Sequence, residues 1–144
     1  MTENETTAEM VVQGQCHCGA VRFTAKIKGG LSSARRCDCS MCLRRGAVAV
    51  SAALDDFEIT QGADKLSLYQ FNTRVAEHYF CATCGIYTHH KRRSNPNEYG
   101  VNLACLEGYS PLDLAQVQVN DGQSHPSDRG SAGGIAGVLR YEAN

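Results

Sequence analysis

No run of about 18 apolar residues occurs in the sequence, so no membrane-spanning helix is expected. Net charge is almost absent: 14 Lys and Arg against 15 Asp and Glu leave −1. That balance argues against a dedicated nucleic-acid binder, which carries a basic face. It argues equally against attraction to an anionic membrane surface. The opening stretch MTENETTAEM lacks both the basic start and the apolar core of a secretory signal. The cytoplasm, where thiols stay reduced, is therefore the expected compartment. Hydrophobic periodicity of 3.6 residues is nowhere sustained over windows of about 11 residues, which excludes long amphipathic helices. No solenoid-type repeat is present either.

What remains is a chain of 144 residues, 42% hydrophobic and 20% charged. This suits one compact domain rather than two, and it is not a disordered composition. Residues 1–10 read as a flexible tail, 11–144 as a single domain, and the glycine-rich stretch 127–137 as a flexible surface segment. In Ala20 to Ile27, Val21, Phe23, Ala25 and Ile27 alternate with more polar positions, a half-buried strand ended by Gly29-Gly30. Further strands are expected at 47–52, 57–60, 66–71, 75–80, 86–90, 99–104 and 116–119, with a last one docking at 138–141. Residues 107–114, with Pro111, suit a loop containing one helical turn. The predicted fold class is mainly β, with short antiparallel strands and many turns.

Against this background the cysteines stand out. Of 8, only Cys105 is isolated. The others form GQCHCG (Cys16, Cys18), CDCSMC (Cys37, Cys39, Cys42) and CATCG (Cys81, Cys84). In a reducing compartment such clusters bind metal or do chemistry more often than they form disulfides. Two thiolates two residues apart converge on one ion across a tight turn, and Gly85 permits the positive φ which that turn needs. Thiolate sites favour zinc or iron–sulfur clusters, and the spacings here do not match ferredoxin patterns. Seven thiols divide naturally into a closed four-ligand site and an open three-ligand site. Spacing pairs Cys81 and Cys84 most simply with Cys16 and Cys18, but also lets Cys16 and Cys18 join the middle cluster.

The stretches GQCHCGAVRF, CDCSMCLRRGA, YQFNT, FCATCGIYTHH and GVNLACLEG, in this order, resemble the glutathione-dependent formaldehyde-activating enzyme family, related to centromere protein V. The resemblance runs from about residue 14 to 114. It implies antiparallel sheets around zinc knuckles, similar to the Mss4-like fold. It implies a structural zinc on Cys16, Cys18, Cys81 and Cys84, and a catalytic, exchangeable zinc on Cys37, Cys39 and Cys42. The implied reaction joins glutathione, or another small thiol, to a carbonyl compound such as formaldehyde, as a carbon–sulfur lyase does in reverse.

Three thiolates around a divalent ion leave one net negative charge and an open position where a thiol substrate loses its proton. Arg35, Arg36, Arg44 and Arg45 flank this cluster and suit the two carboxylates of glutathione. Asp38 and Ser40, between the ligands, are candidates for hydrogen bonds to sulfur or substrate. Cys105 reads as a buried thiol, His17 as pointing away from the metal, and His125 as a loop residue. His78, His89 and His90 read as packing or surface residues, with a proton shuttle among them as the sharper alternative. Tyr69, Phe71, Tyr79 and Phe80 read as core, and Asn102 as a substrate contact. Two rival readings are a zinc-stabilised module that carries glutathione or docks a protein without catalysis, and a nucleic-acid partner, against which the charge counts.

Overall fold

The computed structural model describes residues 10–93, 95–122 and 134–144. The expected tail at 1–9, His125 and the glycine-rich stretch 127–133 lie outside these residues. Among the described residues the protein is mainly β, as expected. The strands are β1 (Met10–Gln15), β2 (Arg22–Ile27), β3 (Arg35–Cys37), β4 (Ala49–Ala53), β5 (Phe57–Gln61) and β6 (Leu66–Tyr69). They continue with β7 (Glu77–Cys81), β8 (Tyr87–Lys91), β9 (Glu98–Asn102), β10 (Gln116–Asn120) and β11 (Ile135–Arg140). Among the described residues one short α-helix, α1, spans Ser40–Arg45. No helix among the described residues is long and apolar enough to cross a membrane.

Two sheets form. One has the order β1-β2-β5, and the other β11-β10-β3-β4-β9-β8-β7-β6. Period-two burial is cleanest in β2, where Phe23, Ala25 and Ile27 point inward. These side chains pack with Val50 and Val101 of the larger sheet and with Leu103 just beyond β9, so the main core lies between β2 and the β4–β9 pair. A second, smaller cluster joins Cys16, Val21 and Cys81.

Three features depart from the sequence reading. Met10 is not tail but the first residue of β1, paired with Ile27. Ile135 to Gly137 are not a loose segment: they pair antiparallel with β10, so the last strand begins at Ile135 and ends at Arg140. And not every pairing is antiparallel: β10 runs parallel to β3, with Asn120 opposite Cys37. Neither β3 nor α1 carries a periodic signal. A three-residue strand is shorter than one reading of alternation, and a six-residue helix shorter than a useful helical window. The helical turn expected near Pro111 is present at Pro111–Asp113, capped by the Ser110 hydroxyl, which accepts from Leu112 N–H.

Candidate metal centre

The two reverse turns that carry the first and third cysteine motifs meet at one place. Cys16 and Cys18 sit in the β1–β2 turn, and Cys81 and Cys84 in the β7–β8 turn. All four sulfurs lie within 4.8 Å of one another. Four sulfurs held tetrahedrally about 2.3 Å from one ion are themselves about 3.8 Å apart. Cys16 Sγ and Cys18 Sγ are 3.7 Å apart, and Cys18 Sγ and Cys81 Sγ 3.8 Å. The donor set therefore fits a zinc-sized ion in type, number and spacing. Peptide N–H groups point at the sulfurs: Val21 donates to Cys16 at 3.4 Å and Thr83 to Cys81 at 3.3 Å. The Cys84 thiol is brought down to about 6, chiefly by a backbone hydrogen bond at Cys18. Gly85 has φ +80°, the left-handed backbone that closes the turn. Cys16 and Cys81 are fully buried while Cys18 is exposed. His17 is exposed and outside the sulfur group, as expected.

Cys37, Cys39 and Cys42 form the second group, also with sulfurs within 4.8 Å of one another. Cys37 ends β3, Cys39 caps α1, and Cys42 lies one turn into the helix. Cys42 N–H donates to Cys39 Sγ at 3.3 Å. The thiols of Cys37 and Cys42 donate to Cys39 as well, which holds its pKa far below the ordinary value, while Cys37 is held up as the proton-keeping partner. Arg45 Nη2 donates to Cys42 Sγ at 3.4 Å and places a cation against the cluster.

Gly122 closes the group from the β10 side. Its N–H donates to Asp38 Oδ1 at 2.7 Å, and a Cβ built on it would lie 2.2 Å from Cys37 Sγ. Asp38 thus braces the loop around the sulfurs. Gly122→Ala is expected to displace Cys37, lowering bound metal by about one equivalent per chain and the melting temperature by only a few degrees. Elemental analysis alongside a thermal melt checks both.

The three sulfurs open on a cleft of about 810 Å³. Arg35, Arg36, Arg44 and Arg45 all line it, and so do Arg92 and Arg93. The last two follow β8 and were not among the arginines expected at the site. Arg35 is partly committed elsewhere, since its Nη1 donates to the carbonyls of Ser33 and Ala49 and to Ser51 Oγ. Arg92 donates to Ser51 Oγ and pairs with Glu98 at 3.6 Å. Arg44 donates to its own helix at Ser40 O.

Phe71, His78 and His90 line the cleft as well. Phe71 and Tyr69 are not core: they stack on each other at 5.6 Å and stand at the surface. They lie on and just beyond β6, an edge strand, so no neighbouring strand covers them. Asn102, expected as a substrate contact, is not among the residues that line the cleft. Its amide donates to Tyr87 O and its carbonyl accepts from Ala104 N–H, so it clamps the end of β9. Cys105 is buried and donates to Tyr87 O at 3.6 Å, as the isolated thiol was expected to be.

The adjacent histidines face opposite sides, as a strand requires. His90 lines the cleft, with Nδ1 2.6 Å from the Tyr87 hydroxyl. His89 is boxed by Phe57, Tyr79 and Tyr99, with ring centroids 4.3 Å, 4.7 Å and 5.2 Å away. Burial brings its pKa down to about 3. An unfolded chain binds a proton at this residue near pH 6.5, and the folded one refuses it until about 3. The contribution of His89 is therefore complete above about pH 6.5 and declines as pH falls toward 3, by up to about 1.4 kcal/mol per pH unit. Urea titrations across this window should show a shallower acid loss for His89→Gln than for the wild type.

Comparison with known proteins agrees with this arrangement. The family model described as glutathione-dependent formaldehyde-activating enzyme matches residues 11–120. A Halomonas elongata protein named "Putative glutathione-dependent formaldehyde-activating enzyme" is 35% identical over 83 residues, covering 52% of this chain and 52% of that protein. The chain thus spans about half the length of that curated relative. A solved Rhodobacter sphaeroides structure is 59% identical, with a TM-score of 0.73, covering 74% of this chain and 98% of that one.

Proposed function

The chain belongs to the glutathione-dependent formaldehyde-activating enzyme family, and on that premise we propose that it is a zinc-dependent carbon–sulfur lyase. Its substrate class is an adduct of glutathione, or a similar small thiol, with a carbonyl compound such as formaldehyde. One observation carries the reading: the seven clustered thiols separate into four that close on one another and three that face an arginine-lined cleft. Cys16, Cys18, Cys81 and Cys84 would hold a structural zinc, and Cys37, Cys39 and Cys42 a second with one coordination position open. When bound at the open site, zinc lowers the pKa of a thiol and orients its sulfur toward an electrophile.

The protein's own side chains supply the rest. Arg45 offsets negative charge at Cys42. Arg36 and Arg44 bring cationic groups to the cleft, where the carboxylates of glutathione would lie. We further propose that residues 11–144 act as one zinc-binding domain, and that the protein works in the cytoplasm, where reduced glutathione is at hand.

The test is the rate at which glutathione and formaldehyde form their adduct, followed by NMR exchange spectroscopy with and without zinc-loaded protein. The thiol and aldehyde combine without a catalyst, so only acceleration above the buffer rate supports a lyase. Glutathione binding with no acceleration would point to a carrier.

A further inference from the structure

One contact fixes the tautomer of an imidazole on the cleft wall. Arg45 Nη1 lies 3.0 Å from His78 Nδ1. A guanidinium can only donate. Nδ1 is therefore the acceptor, and the proton of the neutral ring sits on Nε2. The adjoining cation disfavours a second proton. His78 is 6% exposed. Phe71 and His90 stack against it, with centroids 5.7 Å and 5.4 Å away. Among the described residues the Arg45 contact is its one hydrogen bond, yet no buried side-chain nitrogen or oxygen lacks a partner. Nε2–H is therefore not sealed in the core, and the ring lines the cleft. The same guanidinium reaches Cys42 Sγ through Nη2. A single planar group thus joins the imidazole to the open sulfur cluster and sets their relative position.

We infer that His78 is a catalytic hydrogen-bond donor, holding the carbonyl-derived oxygen of the substrate through Nε2–H, and that Arg45 is the positioning residue that keeps the proton on that nitrogen. This rests on the lyase reading above. When a thiolate adds to an aldehyde, the carbon–sulfur bond forms and the carbonyl π pair moves to oxygen. A donor already aimed at that oxygen stabilises the charge as it develops. The proton that the thiol lost returns to the oxygen from water. His78 keeps its own proton, because giving it up would leave an imidazolate. In the cleaving direction the hydroxyl loses its proton to water, the carbon–sulfur bond breaks, and its electron pair returns to sulfur.

The test uses the full-length, zinc-loaded protein labelled with 15N-histidine. Nitrogen–proton couplings should place the His78 proton on Nε2, and Arg45→Met should spread it over both nitrogens. Glutathione equilibrated with formaldehyde should move the Nε2–H resonance. S-methylglutathione, which lacks the hydroxyl, should not. In turnover, His78→Phe should lower kcat by ~100-fold with KM for glutathione changed by less than about twofold, and His78→Gln, which keeps an N–H near the same place, should recover most of it. A proton found on Nδ1 overturns the inference. So does adduct binding that leaves Nε2–H unmoved, which includes a Nε2–H aimed into the smaller hollow beside Tyr69, or a His78→Phe protein with wild-type kcat. A wild-type rate equal to that in buffer, with the Nε2 response intact, overturns the lyase reading and supports His78 as the ligand's oxygen contact.

Discussion

Cys18→Ser is expected to unfold the protein almost as completely as Cys81→Ser. On packing grounds the two substitutions differ greatly. Cys81 is fully buried beside Val21, whereas Cys18 is exposed and covers nothing. On ligand grounds they are equivalent, since each removes one sulfur from a closed group of four. The sulfurs of Cys18 and Cys81 meet across 63 residues of chain, and an ion there ties the first hairpin to the seventh strand. A structural zinc contributes on the order of 10 kcal/mol of folding free energy. The whole stability of a domain is about 5–15 kcal/mol. Loss of the ion therefore removes an amount comparable with the whole margin, and chelation of the wild type should have the same effect. Circular dichroism melts and amide-proton dispersion report the outcome. A Cys18→Ser protein with a normal cooperative transition would show that the four-sulfur group contributes packing and not a metal.

Cys39→Ser is expected to do the reverse. No cysteine of the second group is fully buried, and none belongs to either apolar cluster. The fold should persist, with a melting temperature within a few degrees of wild type. Zinc should fall from about two equivalents per chain to about one, because the closed site retains its four ligands. Turnover of the glutathione–formaldehyde adduct should drop by at least ~1,000-fold, since the open group loses one of its three sulfurs. The decisive comparison is metal content against rate in one preparation. Unfolding of Cys39→Ser, or a rate equal to wild type with the site empty, would remove the division into structural and reactive sulfurs.

The two substitutions owe their opposite outcomes to chain topology, not to any difference in local sequence. Both motifs are short cysteine repeats around a turn, and both are legible as metal ligands because two sulfurs within a turn converge whatever surrounds them. The strands were legible for a similar reason. Burial of one face at every second residue leaves its trace over a few positions, as in β2, β5 and β10. Elements that span fewer than two full periods left none, so β3 and α1 appear only in the structure.

By itself, then, the sequence determined the ligand chemistry, the β-rich class, the tight turn at Gly85 and the absence of long helices. Each of these depends on residues a few positions apart. The tertiary structure decided which sulfurs lie together: spacing left Cys16 and Cys18 free to join either partner group, and the meeting of the β1–β2 and β7–β8 turns brings them to Cys81 and Cys84. It decided that Gly122 presses on Cys37, through a parallel pairing of β10 with β3 that no local pattern encodes. It also decided that Tyr69 and Phe71 are exposed, that Asn102 is a clamp, and that Arg45 spans 33 residues of chain to reach His78. The order of strands in a sheet is set by how apolar faces cover one another across the whole chain, and that order alone brings distant side chains within hydrogen-bonding reach.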